Sequence, residues 1–170
     1  MYAVYATSAG VPGQDAFVSD VGRILTDPRG WPAHGHTFHM VPTPQDAYIQ
    51  ITLTSGEDMR RMFPHDALLN LNVCDTAKRH VYVHAERWDG SLPNASGLDM
   101  ELYHAYVVNH EVGHALGAHT HRTTCTADGR TPVMMQQTLG TGGCIPSPWP
   151  SAEDAKLVVL PRAYFGLKKN

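Results

Sequence analysis

The chain has no apolar run approaching the ~18 residues that a membrane span requires, so no spanning helix is expected. It also has no basic run. Thirteen Lys and Arg stand against sixteen Asp and Glu, for a net charge of −3. That balance argues against nucleic acid and against a membrane surface as partners. Cysteine is scarce, with three in 170 residues, and by itself does not fix a redox compartment. No internal repeat or low-complexity tract is present. Met1-Tyr2-Ala3-Val4-Tyr5-Ala6 has neither a basic region nor a long apolar one, so it is not read as a signal peptide. Two histories stay open: a leader removed and replaced by Met1, or another route to the site of action, such as a phage product or residence in the cytoplasm.

What is present suffices for one folded unit. A length of 170 residues gives a single domain over 1–170, and 42% hydrophobic residues allow a sizeable core. Histidine is abundant, at eleven. His34, His36, His39, His65, His80, His84 and His104 show no paired ligand spacing around acids and read as surface or strand residues. His34-x-His36 is at most an adventitious metal site. The remaining histidines cluster in Asn109-His110-Glu111-Val112-Gly113-His114-Ala115-Leu116-Gly117-Ala118-His119-Thr120-His121.

This stretch contains His-Glu-x-x-His. On a helix, residues four apart share a face, so His110 and His114 point the same way and can bind one zinc ion through their imidazoles. Glu111, next to the first ligand, reaches a water on the metal, the position of a general base in a zinc peptidase. Gly117 suits the end of that helix, because glycine accepts the left-handed conformation of a C-cap. The competing reading is an exposed helix that carries two histidines by accident. Gly117 and the trailing His-Thr-His weigh against it.

His110, Glu111, His114 and Gly117 resemble the metzincin pattern His-Glu-x-x-His-x-x-Gly-x-x-His. The last position of that pattern falls on Thr120, a poor replacement for an imidazole. Either the loop is one residue longer and His121 is the third ligand, or it is one shorter and His119 is. From Tyr106 to Asn109 through the helix, over Pro132 to Gly140, and from Cys144 to Trp149-Pro150, the chain is similar to a family of secreted, metzincin-like actinobacterial proteins of unassigned activity. In that family the zinc helix is followed by His-x-His, and the resemblance favours the outer histidine, His121, with His119 as the alternative. The chain also resembles snapalysin, a small metzincin whose third ligand is Asp. The resemblance implies secretion, a methionine below the metal at Met134, and Gln where Met135 stands here. Cys125 and Cys144 flank that methionine turn and are candidates for a clamping disulfide. An earlier cysteine pair of the family is incomplete, leaving Cys74 without its partner near Met62. Three reduced thiols are the competing reading.

The pattern along the chain predicts strands over Tyr2–Thr7, Thr37–Val41, Tyr48–Thr54 and Val81–His84. Leu68–Cys74 reads as a strand or a loop. Helices are predicted over Asp15–Leu25, with Asp15 as N-cap, over Asp99–Leu116, and over Ala152–Leu160 after a Ser151 cap and before Pro161. A helical turn is expected around Asp58–Met62, and a loose tail at Lys168–Asn170. Gly140–Gly143 reads as a flexible wall for substrate. Tyr48–Thr54 is expected to be the edge strand beside the cleft. These elements give an α+β fold: a small metzincin-like (zincin) domain with a twisted mixed sheet, a backing helix, a zinc helix and a Met-turn.

The expected function is zinc-dependent hydrolysis of peptide bonds, with one Zn²⁺, Glu111 as general base, and a peptide or protein substrate bound by a monomer. One alternative is an inactive binding module that keeps zinc for structure. Retention of Glu111 argues against it, since a structural site needs no such carboxylate. A weaker alternative is amide hydrolysis in cell-wall peptide. Tyr103 and Tyr106 lie too close along the helix to the ligands to be assigned as oxyanion stabilisers.

Overall fold

In the computed structural model residues 1–64 and 70–158 are described. His65, the start of the segment expected at Leu68, the end of the last helix at Leu160-Pro161 and the tail at Lys168 lie outside them. The elements are β1 (Tyr2–Ser8), α1 (Gln14–Thr26), β2 (Phe38–Met40), β3 (Ile49–Thr54), α2 (Gly56–Met62), β4 (Val73–Asp75), β5 (His80–His84), α3 (Ala85–Trp88), α4 (Met100–Ala115) and α5 (Ala152–Ala155). The fold is α+β.

The five strands form one sheet in the order β2-β1-β3-β5-β4. β1, β2, β3 and β5 run parallel, and β4 alone runs antiparallel, paired to β5. β1 alternates strictly, with Tyr2, Val4, Ala6 and Ser8 buried, as a strand covered on one face does. Helix α1 lies over β1 and β2, α4 lies over β4 and β5, and the two helices touch each other. Phe17, Val21, Ile24 and Leu25 of α1 and Val108 and Val112 of α4 join the strand residues in one core. No helix among the described residues is long and apolar enough to cross a membrane.

Three expectations need correction. First, β3 is an interior strand, paired along its length to β1 and β5. The edge beside α4 is β4. An alternating pattern reports which face of a strand is covered and says nothing about whether its lateral hydrogen bonds are taken. Second, α1 begins at Gln14, and its N-cap is Gly13 at φ 88°, in the left-handed region that glycine tolerates. Asp15 instead sits in the first turn, where its charge favours the helix dipole. Third, α5 ends at Ala155.

Both ends of α4 have local causes. The Asp99 carboxylate accepts the Leu102 N–H at 2.9 Å, a side-chain cap. At the other end Gly117 stands at φ 102°. The Gly117 N–H donates to His114 O at 2.9 Å and the Ala118 N–H to Gly113 O at 3.0 Å, which is a Schellman closure.

Cys125 and Cys144 form a disulfide, and Cys74 is a free thiol. The bridge joins two segments that also meet through the Arg130–Ile145 pairing. Unreduced peptide mapping is expected to yield one linked pair and one free cysteine; three free thiols in protein made under oxidising conditions would rule the bridge out. Closing a loop of this length stabilises by about 3 kcal/mol, so reduction should lower the melting temperature clearly.

Candidate metal centre

His110 and His114 lie one turn apart on α4 and are fixed by backbone carbonyls. His110 Nδ1 donates to Val133 O at 2.7 Å, and His114 Nδ1 donates to Ala118 O at 2.6 Å. Each bond selects the tautomer with a bare Nε2. After the Gly117 turn, buried Ala118 leads into exposed His119 and Thr120, and the chain then brings His121 back. His114 Nε2 and His121 Nε2 lie 3.1 Å apart, and the His110 and His121 rings stack with centroids 5.3 Å apart. One nitrogen from each of His110, His114 and His121 falls within 4.8 Å of the others.

The structure thus brings His110, His114 and His121 together and leaves His119 outside the group, on the cleft wall. Ala118 supplies the extra residue in the turn, and the Arg122 N–H donates to Met134 O at 2.9 Å, anchoring the residue after His121.

The donor set suits a divalent metal. Burial, with a smaller push from His114, takes the His110 pKa down to about 3. Burial takes His114 down to about 4, with the Ala118 carbonyl opposing. Burial also lowers His121. All three rings are therefore neutral near pH 7, the form that ligates. A tetrahedral zinc with Zn–N near ~2.05 Å has an N···N edge of about 3.3 Å, close to the 3.1 Å between His114 and His121. These residues fit zinc.

Glu111 is 6% exposed. It has no hydrogen-bond partner among the described residues, and burial raises its pKa to about 8. It lines a cleft of about 530 Å³ together with Leu71, Val73 and Cys74 on the β4 side and Tyr106 and Thr138 opposite. The sequence reading of Cys74 as a bereaved disulfide partner carried no sign of this position.

Met134 is fully buried. A Cβ added at Gly113, between His110 and His114, would run into Met134 Sδ and come within 2.9 Å of the Trp31 ring. Trp31 is held in turn by donating its indole N–H to Asn109 O at 2.9 Å. Glycine is thus required for helix, methionine and tryptophan to close on one another. Gly113→Ala is expected to lower stability by about 1–3 kcal/mol, read as a fall in the melting temperature; an unchanged value would show that Met134 and Trp31 yield freely.

Of the other histidines, His39 is exposed in β2 and His80 and His84 lie in β5, as expected of surface or strand residues, while His36 and His104 are more engaged. His84 is buried, with Nδ1 3.0 Å from Glu86 Oε2. His104 stacks on Trp88 at 3.7 Å. His36 is buried 3.1 Å from the Tyr2 hydroxyl, while His34 bonds Pro150 O, so the two do not make a metal pair. The Tyr103 hydroxyl lies 3.1 Å from Thr138 Oγ1, and the Tyr106 hydroxyl donates to Met135 O. Asp154, which the sequence offers only as part of a helix cap, is buried against the Val133–Met134 segment.

A family model described as "Protein of unknown function (DUF3152)" matches residues 4–144. No curated protein and no solved structure matches the chain.

Proposed function

Because the chain belongs to the DUF3152 family of proteins of unknown function, no reaction comes with its family, and we propose from the site that it is a zinc-dependent endopeptidase of metzincin type. The observation that carries this reading is that Glu111, without a hydrogen-bond partner among the described residues, lines the same open cleft as three neutral histidines whose ring nitrogens converge. A carboxylate buried without a partner is unfavourable, and a purely structural metal site has no use for it.

Zinc held by His110, His114 and His121 would supply a Lewis acid and lower the pKa of a water towards ~7. The protein's own groups do the rest. The Val133 and Ala118 carbonyls hold two imidazoles in the ligating tautomer. Glu111 takes a proton from the attacking water at its carboxylate and delivers it to the leaving amine. A dication beside Glu111 favours its charged form, offsetting the burial that raises its pKa. Among the described residues β4 is the sheet edge that lines the cleft, so an extended peptide can add to it as a further strand. This role passes from Tyr48–Thr54 to Val73–Asp75. Met134 beneath Gly113 would be the floor of the proposed Met-turn, and the antiparallel edge strand, the covering helix α1 and the His-bearing helix α4 support a metzincin-like reading of the domain. The Cys125–Cys144 bridge supports an oxidising, extracellular location.

Metal analysis of the purified protein, followed by a casein digest with and without chelator, tests the reading. One zinc per chain and chelator-sensitive cleavage are expected. Full zinc content with no cleavage of casein or of a mixed peptide library would overturn it.

A further inference from the structure

Asp154 is 0% exposed, and its carboxylate serves two segments at once. Oδ2 accepts the Ser151 N–H at 2.8 Å and the Ser151 hydroxyl at 2.7 Å, within the capping box of α5. Oδ2 also accepts the Val133 N–H at 2.9 Å, and Oδ1 accepts the Met134 N–H at 3.1 Å. A helix cap accounts for the first two bonds and has no need of the others.

The Val133–Met134 peptide unit points both ways. Its N–H, on Met134, goes to Asp154 Oδ1, and its C=O, on Val133, receives His110 Nδ1 at 2.7 Å. Rotating that peptide breaks both bonds. The next carbonyl, Met134 O, receives the Arg122 N–H at 2.9 Å, immediately after His121. One buried carboxylate therefore sets the backbone on which a helix ligand and the loop ligand both lean.

We infer that Asp154 is a positioning residue for the histidine triad. Through the Val133–Met134 peptide it keeps His110 with Nδ1 as donor and Nε2 facing the cleft, and through Met134 O it fixes where the chain delivers His121. This rests on the reading of the triad as a metal site. Groups that orient ligands from behind change metal affinity by about 10- to 100-fold when altered.

The test is a zinc titration against a competing chelator, on the full chain, for the parent, Asp154→Asn and Ser151→Ala, with melting of each metal-free form alongside. Asp154→Asn replaces one acceptor with an amide NH₂ that faces a peptide N–H, so zinc affinity should fall about 10- to 100-fold. Ser151→Ala removes cap hydrogen bonds and leaves the Val133 and Met134 bonds in place. It should lower the melting temperature yet leave zinc affinity within about two-fold. Parent-like affinity in Asp154→Asn, or an equal loss in Ser151→Ala, overturns the inference. If Asp154→Asn does not fold, Asp154→Glu, which keeps the charge but displaces it by one methylene, is judged by the same criterion. A second readout needs no metal: ¹⁵N–¹H correlation of His110 in the metal-free protein. The parent should show only the Nδ1–H tautomer and the Asp154 variant a mixture; a single Nδ1–H tautomer in the variant overturns the inference. A parent that binds no zinc would fail the metal reading alone, while the tautomer measurement still judges Asp154.

Discussion

Glu111→Ala protein is expected to keep one zinc per chain and to melt no earlier than the parent, while losing peptide hydrolysis by about 10²–10⁴-fold, the span that a general acid–base group contributes. Both halves follow from its surroundings. The carboxylate takes no part in the convergent nitrogen set, so the ligands remain. It faces the cleft and makes no hydrogen bond among the described residues, so truncating it breaks no bond that holds the fold. An alanine variant that cleaves as fast as the parent would end the proposed mechanism. A variant that loses zinc would make Glu111 a ligand instead of a base.

His121→Ala is expected to weaken zinc by roughly 10²–10³-fold, since a four-ligand site worth about 10–16 kcal/mol divides into roughly 3–4 kcal/mol per ligand. His119→Ala should change affinity little. The contrast rests on placement: His121 lies 3.1 Å from His114 Nε2 to Nε2 and stacks over His110, while His119 lies outside the group on the cleft wall. Thr120 offers only a neutral hydroxyl, a poor ligand beside imidazoles. Metal content after dialysis against a mild chelator decides between them. If the His119 variant alone comes out empty, the loop closes on the other histidine when metal binds. If both variants hold zinc as firmly as the parent, no ligand comes from this loop.

Much of the site is legible in the sequence wherever its causes are local. The helical period places His110 and His114 on one face, Asp99 starts α4 with a side-chain cap, and Gly117 ends it with a positive φ. The Cys125–Cys144 bridge is one that the family resemblance made a candidate, through the turn that both cysteines flank. Beyond the Gly117 turn, spacing narrows the third position only to His119 or His121, because the path of a short loop depends on what anchors its far side. Here that anchor is the Arg122 bond to Met134 O. The place of β3 in the sheet is not legible, since pairing on both flanks leaves no trace in its alternation. Nor is the position of Asp154 against Val133 and Met134, about twenty residues upstream, although its Ser-x-x-Asp cap is plain. The α3 turn at Ala85–Trp88 is too short to carry a period of its own.

The Schellman closure at the end of α4 limits how this chain can change in length. Ala118 completes the helix with its N–H and steers His114 with its C=O. One residue thus ties the number of helical residues to the direction of a ring. An insertion or deletion of a single residue between Gly113 and Leu116, inside the helix, would turn the exit by about 100° and break the closure that steers His114. The exposed residues Thr123 and Thr124 carry no such coupling. Homologous chains that keep the same chemistry should vary in length there and remain uniform across the six positions from Gly113 to Ala118.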